Sequence, residues 1–149
     1  MNRRVIVTGG RSLESPALVF EALNAEYLAA AGGRVFVSHG ACPTGADAFA
    51  AEWVGRLGVW AVGVPFRADW DSCVWDCRPG HRVEKRPGDV VHPGFFSDYC
   101  PGAGPRRNAR MVEAGADLML AFPTPTSRGT WNAVRLAKAT GIEVRVIWP

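Results

Sequence analysis

The stretch Val5-Ile-Val-Thr-Gly-Gly-Arg11 decides the fold class, because an apolar run ends there directly in a glycine-rich loop. The same arrangement recurs at residues 35–47 and 118–130, each time before a segment of helical character. In an open parallel sheet the carboxyl ends of the strands face one crevice, so the three loops are expected to converge. Glycines and helix N-termini in such a crevice favour an anion such as phosphate.

Strands and helices alternate along most of the chain. Ser15 is the expected N-cap of the first helix, with Pro16 at its first position. The alternation predicts an α/β fold with a Rossmann-like, doubly wound parallel sheet of about five strands in the order 3-2-1-4-5. Hydrophobic periodicity predicts strands at 5–8, 35–38, 59–64, 117–122 and 143–147, and helices at 16–31, 46–57, 106–114 and 129–140.

One stretch interrupts this rhythm. From about residue 68 to 104 the chain is rich in Pro, Gly, Cys, Trp and charged residues and shows no sustained period. It carries aromatic residues that a disordered linker would lack, namely Trp70, Trp75, Phe95, Phe96 and Tyr99. We therefore expect a single domain over residues 1–149, with an irregular Cys/Trp-containing insertion at about 68–104.

Composition excludes several classes of protein. With 48% hydrophobic and 21% charged residues the chain resembles a globular protein, and no apolar run approaches the roughly 20 residues of a membrane span. The N-terminal residues show no signal segment, so the expected location is cytoplasmic, without a membrane partner. A net charge of +3 is small for a nucleic-acid binder but fits an anionic small molecule. A homodimer is left open.

The four cysteines are more typical of thiols or metal ligands than of disulfides in a cytoplasmic protein. Cys73, Cys77, His81 and Cys100 could together supply a tetrahedral structural zinc site, which an irregular loop with few aliphatic residues needs. Their spacing is looser than that of a paired Cys-x-x-Cys motif. Free thiols packed against the tryptophans and a disulfide are therefore open alternatives, and no cofactor is required by any motif.

Candidate ligand-binding residues lie in the crevice loops and at the start of the helix predicted at 106–114. Cations there oppose the helix dipole, so Arg106, Arg107 and Arg110 are expected to bind an anion. Asp47 could complement a helix dipole, bind a ribose hydroxyl or orient a loop, and Asn108 could read a base or cap a loop. The candidate set is Thr8, Gly9, Gly10, Arg11, Gly40, Gly45, Asp47, Arg106, Arg107, Asn108, Arg128, Gly129 and Thr130.

Seven short motifs follow one another along the chain: Val7-Thr-Gly-Gly-Arg11, His39-Gly-Ala-Cys-Pro-Thr-Gly-Ala-Asp47, Ala68-Asp-Trp70, Gly104-Pro-Arg-Arg-Asn-Ala-Arg-Met111, Gly115-Ala-Asp-Leu118, Ala121-Phe-Pro123 and Ser127-Arg-Gly-Thr130. In this order they resemble the YspA-type, cpYpsA-related branch of the SLOG superfamily. The resemblance implies a Rossmann-like domain that binds nucleotides or nucleotide-derived ligands. The superfamily also includes the Lonely guy phosphoribohydrolases, which release a base from a nucleoside monophosphate, and sensor domains that only bind.

One departure from the enzymes affects the expected function. Where the Lonely guy loop is followed by a catalytic glutamate this chain has Ala133, so its catalytic residues are unknown, with Asp47 and Asp69 as weak candidates. We therefore expect binding, sensing or sequestration of a nucleotide or nucleotide-derived ligand, without catalysis. The first alternative is a hydrolase that cleaves an N-glycosidic or phosphoester bond. The second is single-stranded nucleic-acid binding through the aromatic and basic insertion.

Overall fold

The computed structural model describes residues 1–149 and contains seven strands and four α-helices. The strands are β1 (Arg3–Gly9), β2 (Val35–His39), β3 (Ala61–Pro65), β4 (Val83–Glu84), β5 (Asp98–Tyr99), β6 (Leu118–Phe122) and β7 (Glu143–Val146). The helices are α1 (Pro16–Ala29), α2 (Gly45–Leu57), α3 (Ala103–Glu113) and α4 (Arg128–Ala139), with a 3₁₀ helix at Gly58–Trp60. None of the helices combines the length and apolarity that crossing a membrane requires.

Five strands form one parallel sheet in the order β3-β2-β1-β6-β7. The sequence predicted about five strands in the order 3-2-1-4-5. The numbering differs because two short strands, β4 and β5, form a separate antiparallel ribbon and precede the last two strands of the sheet. Central β1 and β6 pair along their length, from Val5 opposite Leu118 to Gly9 opposite Phe122.

Helices cover both faces of the sheet, which explains why Val5–Val7 of β1 and all five residues of β6 are apolar and buried. Alternate residues of β1 and β6 enter two different cores, because side chains alternate across a strand. Val5 and Leu120 pack with α1 and α2, whereas Ile6 and Met119 pack with α3 and α4. The loops that follow β1, β2 and β6 therefore meet at one end of the sheet.

Helix boundaries differ from the prediction at several ends. Ser15 is the N-cap of α1, as predicted, although its side chain makes no capping hydrogen bond. A 3₁₀ helix replaces the start of the strand predicted at 59–64. Most important, α3 begins at Ala103 and not at Arg106, so its arginines lie beyond the first turn. The argument that these arginines oppose the positive end of the dipole was therefore wrong.

The connecting segment, residues 66–102, joins β3 to α3 and is irregular apart from the β4–β5 ribbon. No residue from 67 to 102 belongs to either hydrophobic core. Trp75 and Phe95 are almost fully exposed, with relative accessibilities of 96% and 91%. Hydrophobic burial therefore contributes little to the conformation of this segment, and polar contacts must hold it.

Candidate functional site

A cavity of about 1030 Å³ lies where the loops after β1, β2 and β6 meet the first turn of α4 and one side of α3. Residues of the connecting segment line the cavity as well. Of the thirteen predicted ligand-binding residues, the cavity brings eleven together: Thr8, Gly9, Gly10, Arg11, Gly40, Asp47, Arg107, Asn108, Arg128, Gly129 and Thr130.

The cavity is strongly cationic. Its wall carries five arginines and a single carboxylate, that of Asp47. Arg11 and Arg128 are exposed and take part in none of the salt bridges, so their charges are available to a ligand. Arg67 and Arg135 also line the cavity, and the sequence analysis missed both. Neither lies in a glycine-rich motif, so only the packing of α3 and α4 could reveal them.

The first turn of α4 forms one end of the cavity. Its N–H groups have no acceptor within the helix and carry the positive end of the helix dipole. Thr130 in this turn is only 3% exposed, and its hydroxyl is the one buried side-chain polar atom without a hydrogen-bond partner. An unpaired buried hydroxyl costs about 1–3 kcal/mol, which a bound acceptor would remove. The geometry therefore suits an anionic oxygen atom.

The glycines of the first loop are required by close packing. A Cβ atom on Gly9 would lie 2.8 Å from the Phe122 carbonyl oxygen, and one on Gly10 would collide with the Thr124 side chain. Gly45 has φ +73°, and a Cβ there would collide with the Gly10 carbonyl oxygen. Gly9 and Gly10 line the cavity as well, but Gly45 does not. Gly45 instead allows the start of α2 to pack closely against the loop after β1.

Asp47 lies in the first turn of α2 and orients the loop after β2. Its Oδ2 atom accepts the N–H of Cys42 at 3.2 Å. Burial raises the pKa of this carboxyl group to about 6, against the opposing effects of backbone hydrogen bonds and of nearby Arg107. Asp47 therefore lies at a helix N-terminus and also orients a loop, which are two of its predicted roles. A carboxyl pKa of about 6 is in the range useful for proton transfer.

Arg107 and Asn108 connect the elements around the cavity. Arg107 Nη1 donates to the Gly40 carbonyl oxygen at 2.6 Å, and its Nε donates to Asn108 Oδ1 at 2.9 Å. Asn108 Nδ2 in turn donates to the Gly129 carbonyl oxygen at 3.2 Å and to Asn132 Oδ1 at 3.0 Å. Both the oxygen and the nitrogen of this side-chain amide are thus hydrogen-bonded within the protein, and the bonds of the nitrogen join α3 to the start of α4.

Besides Gly45, four residues singled out in the sequence lie away from the cavity, and one of them is Arg110, whose Nη2 donates to the Arg67 carbonyl oxygen at 2.8 Å. Arg106 turns toward the connecting segment, where its Nη2 donates to the Ser72 carbonyl oxygen at 2.7 Å. Asp69 lies outside the cavity wall and accepts the Ser72 hydroxyl at 2.7 Å. Ala133, at the position of the Lonely guy glutamate, is fully buried in the core beneath α4.

The cysteines and the histidine of the connecting segment meet in one cluster, the Cys₃His cluster, formed by Cys73, Cys77, His81 and Cys100. Their four potential ligand atoms all lie within 4.8 Å of one another, so the group could hold a metal ion. The sulfurs of Cys77 and Cys100 are 3.8 Å apart, too far for a disulfide. Two sulfurs bound tetrahedrally at about 2.3 Å from one ion have about this separation.

The surroundings of the cluster fit a set of anionic ligands. His81 Nδ1 donates to the Arg78 carbonyl oxygen at 2.6 Å, and its Nε2 faces the sulfurs, 3.1 Å from Cys100 Sγ. Arg82 donates to Cys73 Sγ at 3.1 Å, and Arg106 approaches Cys100 Sγ at 3.7 Å. Burial opposes ionisation of Cys100, but hydrogen bonds from His81 and Arg106 outweigh it and hold its thiol pKa at about 6.

The comparisons with known proteins agree with the motif order. Residues 3–72 match the model of the YspA, cpYpsA-related SLOG family. The chain is 33% identical over 145 residues to the Gene 61 protein of Mycobacterium phage D29, an alignment that covers 95% of this chain and 94% of that protein. No solved structure matches the chain significantly. The chain belongs to the YspA, cpYpsA-related SLOG family.

Proposed function

We propose that the cavity binds a phosphorylated, nucleotide-derived ligand, whose phosphate lies at the first turn of α4. The observation that carries this proposal is the buried, unpartnered hydroxyl of Thr130 at that helix N-terminus. The free arginines Arg11 and Arg128 supply countercharge beside it. Family membership points to nucleotides, and a Rossmann-like arrangement of the parallel sheet supports the same location.

Two substitutions test the phosphate position. Thr130→Val keeps the shape of the side chain and removes its hydroxyl, and Arg128→Ala removes one countercharge. Native mass spectrometry of freshly purified protein identifies any nucleotide that co-purifies, and calorimetry then measures its affinity for each variant. Each change should weaken binding about tenfold or more, because a charge-assisted hydrogen bond contributes about 1.5–3 kcal/mol.

The matched control is Arg86→Ala, which removes an exposed arginine outside the cavity. Its affinity for the same nucleotide should equal that of the wild type. Equal affinities in all three variants would place the phosphate elsewhere. If no nucleotide raises the melting temperature of the wild type, the binding proposal itself is wrong.

Hydrolysis is the second candidate function, because Asp47 lines the cavity and burial raises its carboxyl pKa to about 6. A carboxyl group with such a pKa can act as a general acid or base near neutral pH. Chromatography after long incubation with nucleoside monophosphates would detect free base or ribose phosphate. We expect none, because Ala133 supplies no carboxylate. Base release lost in Asp47→Asn but kept in Asp69→Asn would establish the hydrolase instead.

We further propose that the Cys₃His cluster holds a structural zinc ion. Three thiolates and one imidazole are a common ligand set for Zn²⁺. The ion together with these ligands carries one net negative charge, and the guanidinium groups of Arg82 and Arg106 lie beside it. Metal analysis of the purified protein should find about one zinc per chain. A zinc-free protein with three readily alkylated thiols in the connecting segment would contradict this proposal.

A further inference from the structure

One wall of the cavity is aromatic and belongs entirely to the connecting segment. Trp70, Val91, His92 and Tyr99 all line the cavity. Arg11 and Arg128 line the same cavity from other elements, the loop after β1 and the start of α4. The cavity lining therefore combines arginines, suited to phosphate, with an aromatic group that has no assigned role.

The rings of this wall support one another. The His92 and Tyr99 rings are stacked, with centroids 3.7 Å apart and an interplanar angle of 5°. Trp70 meets both of them edge to face, with centroid distances of 4.7 Å and 5.7 Å. A Cβ atom on Gly104 would lie 3.1 Å from the Trp70 ring, so the start of α3 closes the back of this group. The three rings pack against one another as one group, the aromatic wall.

Neither hydrophobic core holds the aromatic wall, because no residue from 67 to 102 belongs to one. The Cys₃His cluster is connected directly to it. Cys100 follows Tyr99 directly, and its N–H donates to the Trp70 carbonyl oxygen at 2.8 Å. The other three ligands come from residues 73–81, so a bound metal closes the chain that carries His92 into a loop.

We propose that the aromatic wall is a second subsite of the cavity, which takes a flat, uncharged ring of the ligand and is ordered only while the Cys₃His cluster holds a metal. The ligand class is then a phosphomonoester joined to an aromatic ring system. This inference rests on the proposed phosphate site. Stacking on aromatic side chains contributes about 1–3 kcal/mol per base, which gives the wall a measurable share of the affinity.

Two probes that share a phosphate and a sugar test the subsite. The first is the best of the four nucleoside monophosphates AMP, GMP, CMP and UMP, and the second is ribose 5-phosphate, which has no ring system. The zinc-loaded protein should bind the nucleotide about tenfold more tightly, or better. After chelation this preference should vanish, while the affinity for ribose 5-phosphate stays the same.

Two variants separate the wall from the rest of the segment. His92→Ala removes one of the stacked rings and should reduce only the affinity for the nucleotide. Phe95→Ala removes an aromatic ring that is 91% exposed and outside the cavity, and both affinities should be unchanged. Hydrogen exchange reports on order directly: amides of residues 89–94 should exchange faster after chelation, whereas those of β1 and β6 should not.

The outcomes distinguish this inference from the proposed function. Equal affinities for the two probes in the zinc-loaded protein overturn the subsite and leave the phosphate site intact. A preference that survives chelation, or unchanged exchange at residues 89–94, overturns the link to the metal. If neither probe binds, the phosphate site fails and the subsite falls with it.

Discussion

At the scale of single residues, two buried polar groups mark the cavity. Thr130 has a buried hydroxyl with no partner, and Asp47 has a buried carboxyl group that accepts a backbone N–H from Cys42. Buried polar groups are normally satisfied within the protein, because leaving one unpaired costs stability. The unpaired hydroxyl of Thr130 therefore carries an energetic cost in the free protein, and burial of the charged Asp47 carboxylate carries a second cost, which depends on pH.

The pH dependence of Asp47 predicts a measurable effect on stability. Its carboxyl pKa is raised from 3.8 to about 6, so the folded state binds the proton more tightly than the unfolded state does. The contribution of Asp47 to wild-type stability should therefore fall as pH rises from about 4 to above 6. Asp47→Asn lacks this ionisation, and its free energy of unfolding relative to the wild type should rise by up to about 3 kcal/mol over that range.

Urea unfolding of both proteins at pH 4, 5, 6 and 7 measures the difference. The control is Asp69→Asn, whose carboxyl group lies outside the cavity; it should follow the wild type at every pH. A difference between Asp47→Asn and the wild type that does not change with pH would show that the Asp47 carboxyl group does not titrate in this range.

At the scale of secondary-structure elements, one carboxylate joins a helix to two strands. Glu26 of α1 is almost fully buried, and its two oxygens accept from Arg3 of β1 at 2.6 Å and from Arg145 of β7 at 2.9 Å. Strands β1 and β7 lie on either side of β6, so this helix residue connects the two strands that flank β6. The pairing is long-range, because Glu26 and Arg145 are 119 residues apart.

Removing this carboxylate should destabilise the protein. Glu26→Ala should lower the free energy of unfolding by about 1–3 kcal/mol, less than for a fully buried pair because both arginines are partly exposed. Glu143→Ala is the matched control: it pairs with the same Arg145 but is exposed, and it should cost less than about 0.5 kcal/mol. Chemical denaturation of both variants checks the comparison, and equal costs would refute the role of burial.

At the scale of the whole molecule, the sheet and the connecting segment depend on different interactions. The sheet is held by two hydrophobic cores, one on each face. The segment is held by polar contacts such as Arg82 with Asp98 at 2.9 Å and by the Cys₃His cluster. Because no residue from 67 to 102 belongs to either hydrophobic core, loss of order in the segment should leave the sheet folded.

Replacing Cys73, Cys77 and Cys100 together with serine tests this independence. The variant should unfold cooperatively with a free energy within about 1 kcal/mol of the wild type, while limited proteolysis cleaves the segment faster. Leu120→Ala is the contrasting variant: it opens a cavity in the centre of the sheet and should cost about 2–5 kcal/mol. Loss of cooperative unfolding in the serine variant would mean that the cluster also supports the sheet.

Local pattern was sufficient to predict most of the elements and much of the cavity wall. Apolar runs such as Val5–Val7 and Leu118–Phe122 identify buried strands, and the loops after parallel strands must meet at one end of the sheet. That topological constraint brought Thr8, Asp47 and Thr130 to one cavity. Cys73, Cys77, His81 and Cys100 could also be grouped in advance, because few other contacts were available to an irregular segment.

Tertiary packing alone decided the rest, because it depends on contacts between residues distant in sequence. The sequence determined that Arg106 is a permanent cation, but the start of α3 at Ala103 and the position of Cys100 direct it to the thiols instead of the cavity. Arg135 lines the cavity only because α4 packs beside α3. Neighbouring side chains likewise set the pKa of Asp47, since a carboxyl group acquires its burial only from the fold.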